Sequence, residues 1–448
     1  MRMSGLNFDA IPAISSPIRF YLSAPIFALL AAILIALHGE TLWISRWMPV
    51  TLAITHLIAL GVMAMVMIGS LFQVMPVLCG AAIPITGMRL HMFHAALVTG
   101  VLTLAAAFLG WLSFLLPFVL LGLSLSYFCF SLIWLLLMKA NGEQTRLPIL
   151  FAVSALAALL LIGLVLLSGY LWGYMPGTGK ALTNLHAGIG SFGWVMLLIM
   201  AVSFQVIPMF HVTPSFSKKW RYSLITLLVS GFGVASVEVF GGSFSVEWLS
   251  REWLSFGWLL CIAATLLYCV ITLERLTKRK RKLPDVVINY WQLGLVNLVL
   301  ACLLLLWLIL PIAKPEWAIM WQTKLEVLLG FLFSFGFVLA IIQGMLLKIV
   351  PFLISLHLQR LMMQNPMAMI PLPDHYQLIS RVHMKRQFYS YLTLLITLWV
   401  ALLLPAATPL MAITFAINWL VIAYNIYGAV VQYPEYRDKL LNAPKMSI

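Results

Sequence analysis

The sequence predicts an all-α integral membrane protein of about twelve transmembrane helices, organised as three four-helix repeats around a pseudo-threefold axis. Three observations lead to this prediction. The 448 residues are 63% hydrophobic and only 9% charged. Apolar runs of roughly 20 residues, the length that a helix needs to cross a bilayer, recur along the whole chain. One proline-ended apolar segment occurs three times, which indicates a repeated helical unit.

The apolar runs place the helices in chain order. We expect spans at about 20–38, 52–78, 91–115, 118–138, 148–172, 183–210, 221–241, 252–274, 287–312, 323–355, 387–405 and 408–430. The separation is thinnest between the third and fourth spans, where only Leu116-Pro117 breaks the run, and between the last two, at Pro405–Pro409. Proline favours these breaks because it cannot donate the hydrogen bond that continues a helix.

The spans form one predicted transmembrane domain, residues 20–430. Its three repeats cover roughly 20–140, 148–275 and 287–430. Residues 1–19 are mixed and polar, and the first apolar run is long enough to span, so we predict no cleavable signal peptide. Residues 431–448 form a polar C-terminal tail.

The repeated segment lies in the second, sixth and tenth spans. The sequence FQVMP ending at Pro76 matches FQVIP ending at Pro208 almost letter for letter, and LKIVP ending at Pro351 matches more loosely. When the prolines are superimposed, three glycines also coincide: Gly61, Gly193 and Gly336. The prolines are roughly 140 residues apart, which is the predicted repeat length.

Basic residues distinguish the two sides of the predicted membrane. With twelve spans, 21 of the 27 Lys and Arg residues fall on the side that holds both termini. The exceptions are Lys348, inside a span, and five residues on the opposite side: Arg46, Lys180, Arg251, Lys314 and Lys324. The positive-inside rule then predicts that both termini are cytoplasmic. The basic run Arg275–Lys282 lies on that side, where contact with anionic lipid is favoured over nucleic acid.

Three ionisable residues stand near the predicted outer ends of the repeated helices: His56, His186 and Glu326. Such groups are costly inside a membrane and usually face a bundle interior with a partner. Around a pseudo-threefold axis they could form one layer, and neutral imidazole is a common haem and metal ligand. The alternative is an interfacial role. Glu326 in particular follows Trp317, Trp321 and Lys324, which is typical of a membrane-interface belt.

Long polar side chains precede each of the repeated prolines: Gln73, Gln205 and Lys348. Proline frees a backbone carbonyl in the preceding turn, which such a side chain can help to satisfy. The alternative is a side chain that extends to the nearby interface. Lys348 is the most costly of the three, because it carries a charge inside a span.

The inner side carries a second set of candidate ligands. His91, His94, His211 and His357 could together form a metal site or a site for haem propionates, although each alone is typical of an interfacial histidine. Methionines in the second span and in the loop at 362–369 would suit Cu(I), but methionine also fills gaps in apolar cores. The chemistry of these methionine side chains is therefore compatible with bound copper.

The three repeats and the histidine that opens the second span resemble the membrane subunit of haem-copper oxidases. The segments HLIALGVMAMVMIGSLFQVMPVLCG, LHAGIGSFGWVMLLIMAVSFQVIPMFHVTP and GMLLKIVPFLISLHLQ are similar to NnrS-like multispan proteins and their uncharacterised bacterial relatives. This resemblance implies a haem-copper-oxidase-like fold in the bacterial inner membrane. It also implies bound haem, with His56 at the position of an axial ligand, and a link to nitric oxide or metal metabolism.

The chain departs from the oxidase pattern where oxygen chemistry would occur. Residues 323–350 and 221–241 contain no histidine, so the paired haem ligand and the copper ligands of the oxidases have no counterpart there. We therefore expect a haem-binding protein of redox or nitric oxide/metal homeostasis, with His56 and then His186 as ligands and without a binuclear oxygen-reducing site. The alternatives are a cofactor-free transporter or channel for a small solute, and an assembly or accessory protein of a respiratory complex.

Overall fold

The computed structural model describes residues 11–142, 144–174, 179–241, 251–280, 283–310, 312–364 and 370–443. Within these ranges the chain forms helices and short connections, with no β-strand. Twelve of the helices described are long and apolar enough to cross a membrane. The predicted all-α, multi-pass membrane architecture is thus confirmed for this part of the chain. The outermost residues of both predicted terminal segments lie outside it, as do Arg281 and Lys282 of the basic run.

The spanning helices follow the predicted order. They are α1 (Ser15–His38), α2 (Pro49–Cys79), α3 (Gly87–Phe108), α4 (Leu115–Met138), α5 (Arg146–Trp172), α6 (Lys180–His211), α7 (Lys218–Gly241), α8 (Arg251–Thr277), α9 (Val286–Ile309), α10 (Gln322–Gln364), α11 (Arg381–Leu403) and α12 (Thr408–Val430). Short helices connect or follow them at Gly39–Trp43, Glu316–Met320, His375–Leu378, Pro405–Ala407 and Tyr433–Leu441.

The boundary between α3 and α4 differs from the prediction. The sequence placed the break at Leu116-Pro117, but α3 already ends at Phe108 and Gly110 follows in the left-handed region (φ +78°). Glycine takes this conformation without a steric penalty and so closes the helix. Pro117 instead lies in the first turn of α4, where its missing N–H costs nothing because the first N–H groups of a helix have no intrahelical partner.

Helix α10 continues well past its predicted end, to Gln364. His357 and Arg360 therefore lie on the helix and not in a loop. His357 hydrogen-bonds the backbone of Pro12, and Arg360 Nη1 donates to the Ile11 carbonyl at 3.4 Å. These contacts attach the chain ahead of α1 to the last turns of α10.

The chain divides into two compact units whose boundaries fall inside α2, α9 and α10. The first unit comprises Met1–Gln73, Pro284–Gly294 and Ser334–Ile448. The second comprises Val74–Leu283 and Leu295–Phe333.

In the first unit, α1 packs along α2 and α12. The rings of Phe20 and Phe72 stack with centroids 5.6 Å apart, and the Tyr21 and Ser70 hydroxyls are 3.1 Å apart. At the other end of α1, the indole N–H of Trp43 donates to the Thr408 hydroxyl at 2.8 Å. The inner part of α2 is therefore fixed to α1 by both apolar and polar contacts.

In the second unit, neighbouring helices approach through aromatic stacking and small residues. Phe93 of α3 stacks on Phe128 of α4 at 5.5 Å. The Tyr268 hydroxyl of α8 donates to Ser203 of α6 at 2.9 Å. A methyl group built on Gly257 of α8 would lie 2.7 Å from the backbone of α7, so glycine allows these two helices their close approach.

Three helices contain a π-helical segment, in which each N–H bonds the carbonyl five residues earlier. The segments are Leu57–Ala64 in α2, Ile189–Met196 in α6 and Leu332–Val338 in α10. All three begin at the same distance before Pro76, Pro208 and Pro351, and each contains one of the superimposed glycines. The repeated sequence segment thus coincides with a repeated distortion of the backbone.

Candidate functional site

His56 lies at the start of the π segment of α2 and is half-buried. Its Nδ1 atom is 2.8 Å from the Leu52 carbonyl, one turn earlier on the same helix. Because a carbonyl only accepts, Nδ1 carries the proton and donates, and the ring lone pair is on Nε2. Ligating histidines commonly donate their second N–H to a backbone carbonyl, which orients the ring. The local geometry of His56 therefore suits an axial ligand.

On the C-terminal side of His56, small residues allow α2 to pack closely against α1. A side chain at Gly61 would overlap the Phe27 ring, and a methyl group on Gly69 would lie 2.8 Å from Phe20 Cβ. Both positions therefore need glycine for the observed packing. These contacts fix α2 to α1 both within the π segment, at Gly61, and after it, at Gly69, and His56 lies one residue before the segment.

His186 is half-buried on α6, in the second unit. Its imidazole packs on α5, since a methyl group on Gly163 would lie 3.1 Å from His186 Cε1. Relative to the π segments, however, His186 stands two residues earlier than His56. The position equivalent to His56 is Gly188, whose Cα is covered by the Trp258 ring. His56 and His186 are therefore not in equivalent positions of the repeated helix.

Glu326 stands still earlier, on the first turns of α10 in the second unit, and is half-buried. The α10 residue at the register of His56 is Phe331. Two residues turn a helix by roughly 200° and five by roughly 140°, so the three groups leave their helices in different directions. The single outer layer of His56, His186 and Glu326 stays a prediction, without support from the register.

The three polar residues before the prolines share one register but not one environment. Lys348 forms an ion pair with Asp285, the residue before α9, with Nζ to Oδ2 at 3.0 Å, and their side chains are only 12% and 16% exposed. The charge of Lys348 is thus compensated within the first unit and does not extend to water. Gln73 is buried, and its Oε1 has no hydrogen-bond partner among the described residues, whereas Gln205 is half-buried.

The inner histidines differ in burial. His211 and His357 are buried, His94 is half-buried and His91 is exposed. Among the described residues, no group of three or more His, Cys, Asp or Glu side chains is placed to hold a metal ion. The inner metal site stays a prediction, and Met367 and Met369 of the candidate copper loop lie outside the described residues.

The first unit also contains a buried amide network that the sequence did not lead us to expect. Gln343 Nε2 of α10 donates to Asn418 Oδ1 of α12 at 2.8 Å, and Asn418 Nδ2 returns a hydrogen bond to Gln343 Oε1 at 3.2 Å. Gln387 Nε2 of α11 donates to the Gln343 carbonyl at 3.2 Å and accepts from Asn425 Nδ2 at 2.8 Å. All four side chains are buried. Together they connect α10, α11 and α12 through polar groups.

Two tyrosines border this network. The Tyr290 hydroxyl of α9 donates to Gln343 Oε1 at 3.5 Å. The Tyr391 hydroxyl of α11 lies 2.7 Å from the Phe335 carbonyl and 3.1 Å from the Gly336 carbonyl, both in the π segment of α10. A signal for the network was present in the sequence, since uncharged amides inside apolar spans usually face a bundle interior with partners.

Comparison with known proteins gives no family assignment: no protein-family model matches this chain, and no curated protein matches it. The candidate site is therefore defined by the chain's own geometry. It centres on the oriented imidazole of His56 in the first unit.

Proposed function

We propose that this protein binds haem in the bacterial inner membrane, with His56 as an axial ligand, and acts in redox or nitric oxide/metal homeostasis without a binuclear oxygen-reducing site. One observation carries the proposal. The Nδ1–H of His56 is held by the Leu52 carbonyl at 2.8 Å, which directs the lone pair to Nε2 and restricts the ring.

The residues around His56 fit such a group in their chemistry. The imidazole is half-buried in an apolar helix, where it is neutral in its ligating form. A bound haem supplies an iron centre for one-electron transfer or for a small gaseous ligand. The role of the chain is to orient the imidazole, through Leu52, and to keep the surrounding helix apolar. His186 is the second candidate ligand, since its ring is also half-buried near the start of a repeated helix.

We further propose that the chain consists of three four-helix repeats around a pseudo-threefold axis, as in haem-copper oxidases. The three π segments at one register support this proposal independently of residue identity. The packing also recurs at two registers: Gly61 and Gly193 meet Phe27 of α1 and Ala155 of α5, and Gly69 and Gly344 meet Phe20 of α1 and Tyr290 of α9. Copper stays a prediction from the methionines of α2 and of residues 362–369, and the proposal does not depend on it.

The cytoplasmic placement of both termini is part of the proposal. It rests on the even number of spanning helices described and on the concentration of basic residues in alternate connections. Reporter fusions after residues 46, 180 and 278 test it. Only the fusion at 278 is expected to show cytoplasmic activity, and the reverse pattern would invert the topology.

The test of haem binding is a reduced-minus-oxidised absorption spectrum of the detergent-purified protein, with haem quantified on the same sample. We expect a stoichiometric signal in the wild type and its loss in His56→Ala, with partial recovery on addition of free imidazole. His38→Ala is the matched control, because His38 is an exposed histidine at the end of α1 and belongs to neither candidate site. Unchanged haem content in both His56→Ala and His186→Ala would overturn the ligand assignment, and a haem-free wild type would overturn the function.

A specific observation favours a second candidate, a transporter for a small polar solute. The Asp285–Lys348 ion pair and the amide network place buried charged and polar groups on α9 to α12 of the first unit, and such groups mark solute pathways in membranes. Solute flux into liposomes that carry the haem-free protein tests this candidate. Flux that Lys348→Met abolishes would support it, and tight liposomes would exclude it.

A further inference from the structure

The π segment of α2 lies directly between His56 and the part of α2 that is fixed to α1. On its inner side, Gly69 packs on Phe20 and the Ser70 hydroxyl contacts Tyr21. On its outer side lies the short helical stretch Pro49–His56, which follows a connection and buries Val50, Thr51, Ala53 and Ile54. The relative direction of the two sides is therefore set by the hydrogen bonding of Leu57–Ala64.

The same residues could also form an ordinary α-helix. The change from bonds to the fifth preceding residue to bonds to the fourth shifts the register between the two sides by one residue. Such a shift turns the outer side by roughly 100° and moves it by roughly 1.5 Å along the axis. Because the inner side is fixed by packing, the rotation would fall on Pro49–His56 and on the imidazole.

The corresponding segment of α10 has an additional support. The Tyr391 hydroxyl lies within hydrogen-bond distance of the carbonyls of Phe335 and Gly336, at 2.7 and 3.1 Å. A π segment disturbs the regular ladder of helix bonds, and a donor of this kind stabilises its carbonyls. At the same register of α2, the neighbouring side chain is the Phe27 ring, which carries no donor.

We propose that the π segment Leu57–Ala64 is a two-state element that rotates His56 between two directions, and that the Tyr391 hydroxyl prevents the same change in α10. The role of this rotation rests on the proposed function. A haem that binds His56 in only one of the two directions would shift the population toward that state. The rotation itself does not depend on haem.

The first experiment measures distances between spin labels at Thr55 and Ile33, both exposed residues of the first unit, in haem-free protein. A rotation of roughly 100° moves a side-chain tip by roughly 8 Å on a helix of this diameter, so we expect two resolved distances. Deletion of Ala59 removes the extra residue of the π segment and leaves a plain α-helix with both sides in the observed directions. This variant is expected to show one distance.

The matched measurement uses labels at Gln322 and Leu303 to follow α10. The wild type is expected to show one distance between these two labels, and Tyr391→Phe is expected to show two. Size-exclusion profiles of all variants establish that they fold. One distance at α2 in the wild type, equal to that of the Ala59 deletion, would overturn the inference, as would one distance at α10 in folded Tyr391→Phe.

Addition of haem separates this inference from the proposed function. If both hold, haem shifts the two-distance population at α2 toward one distance. Two distances that haem leaves unchanged, in a protein that shows no haem spectrum, would retain the rotation and reject the haem function. A single distance in a protein with stoichiometric haem would retain the function and reject the rotation.

Discussion

Helices α2 and α10 share a backbone form but differ in the chemistry that they carry. Both contain a π segment at one distance before a proline inside the helix. Helix α2 has an imidazole ahead of the segment and packs through glycines against aromatic rings. Helix α10 has no histidine there, but holds a buried amide, Gln343, and an ion pair, Lys348 with Asp285. The difference shows that a repeated backbone does not repeat a site, so function has to be argued for each copy.

Breaking the Lys348–Asp285 ion pair is expected to lower the free energy of unfolding more than any other change that compares α2 with α10. Lys348→Met would leave the Asp285 carboxylate, 16% exposed, without the ammonium group 3.0 Å away. Removing one partner of a buried pair costs about 3–5 kcal/mol, because the other charge stays desolvated. The free energy of unfolding in mixed detergent micelles measures this loss. The equivalent change in α2, Gln73→Met, removes no charge and should cost less.

Two further variants isolate the pairing. Lys348→Met with Asp285→Asn should recover most of the stability, since the amide leaves no desolvated charge and its oxygen can still accept from the Val287 N–H, as Asp285 Oδ1 does at 3.1 Å. Lys278→Met breaks the exposed pair with Glu274 and should leave the free energy of unfolding nearly unchanged, because water screens both charges. A single variant as stable as the double variant would contradict the assignment.

Disrupting the amide network should give the second-largest loss in the free energy of unfolding. Residues at the register of Gln343 in α2 and α6 are Ile68 and Met200, so Gln343→Met makes α10 resemble its counterparts. This change leaves the buried Oδ1 of Asn418 without its donor, while Asn418 Nδ2 keeps its hydrogen bond to Ser390, and we expect a loss of about 3 kcal/mol. Met200→Leu, an apolar exchange of similar volume, is the control and should cost less than about 1.5 kcal/mol. Equal stability of the two variants would mean that the network does not stabilise the first unit.

The glycine contacts of α2 can be tested by adding a methyl group to a packed position, whereas the preceding variants remove an interaction. Gly61→Ala places a methyl group against the Phe27 ring, and overpacking of this kind costs about 1–3 kcal/mol. Gly428→Ala on α12 is the matched control, because a methyl group there meets no atom within 4 Å among the described residues. That control should be neutral or stabilising, since alanine is the better helix former. Unfolding free energies that rank the two variants in the opposite order would show that Phe27 adjusts freely.

The twelve spans were predictable from sequence because a bilayer demands long apolar helices, and this requirement leaves a strong pattern. Their ends were less predictable. The pattern could not show that Gly110 closes α3 or that α10 continues to Gln364, since these depend on backbone conformation and on contacts with the residues before α1. The π segments left no compositional signal, although the superimposed glycines mark where they occur.

The candidate site was predictable only in part. The position of His56 near the start of its helix followed from the sequence, but its contact with the Leu52 carbonyl depends on a side-chain rotamer. The sequence motif treated His186 as the counterpart of His56. The π segments instead place Gly188 there, under Trp258, because two residues separate the positions. The sequence placed the charge of Lys348 inside a span, but it could not show that Asp285, just before α9, forms an ion pair with it.

The smallest predicted effect tests how the π segment of α10 is held. Tyr391→Phe removes the hydroxyl that contacts the Phe335 and Gly336 carbonyls and leaves the ring in place. A single hydrogen-bonding group of this kind contributes about 1 kcal/mol. The rate of backbone amide hydrogen exchange should therefore rise roughly fivefold in Leu332–Val338 and stay unchanged in Leu57–Ala64 of the same sample. Because α2 serves as the internal reference, equal changes in both segments would point to general destabilisation and would contradict a specific support of α10 by Tyr391.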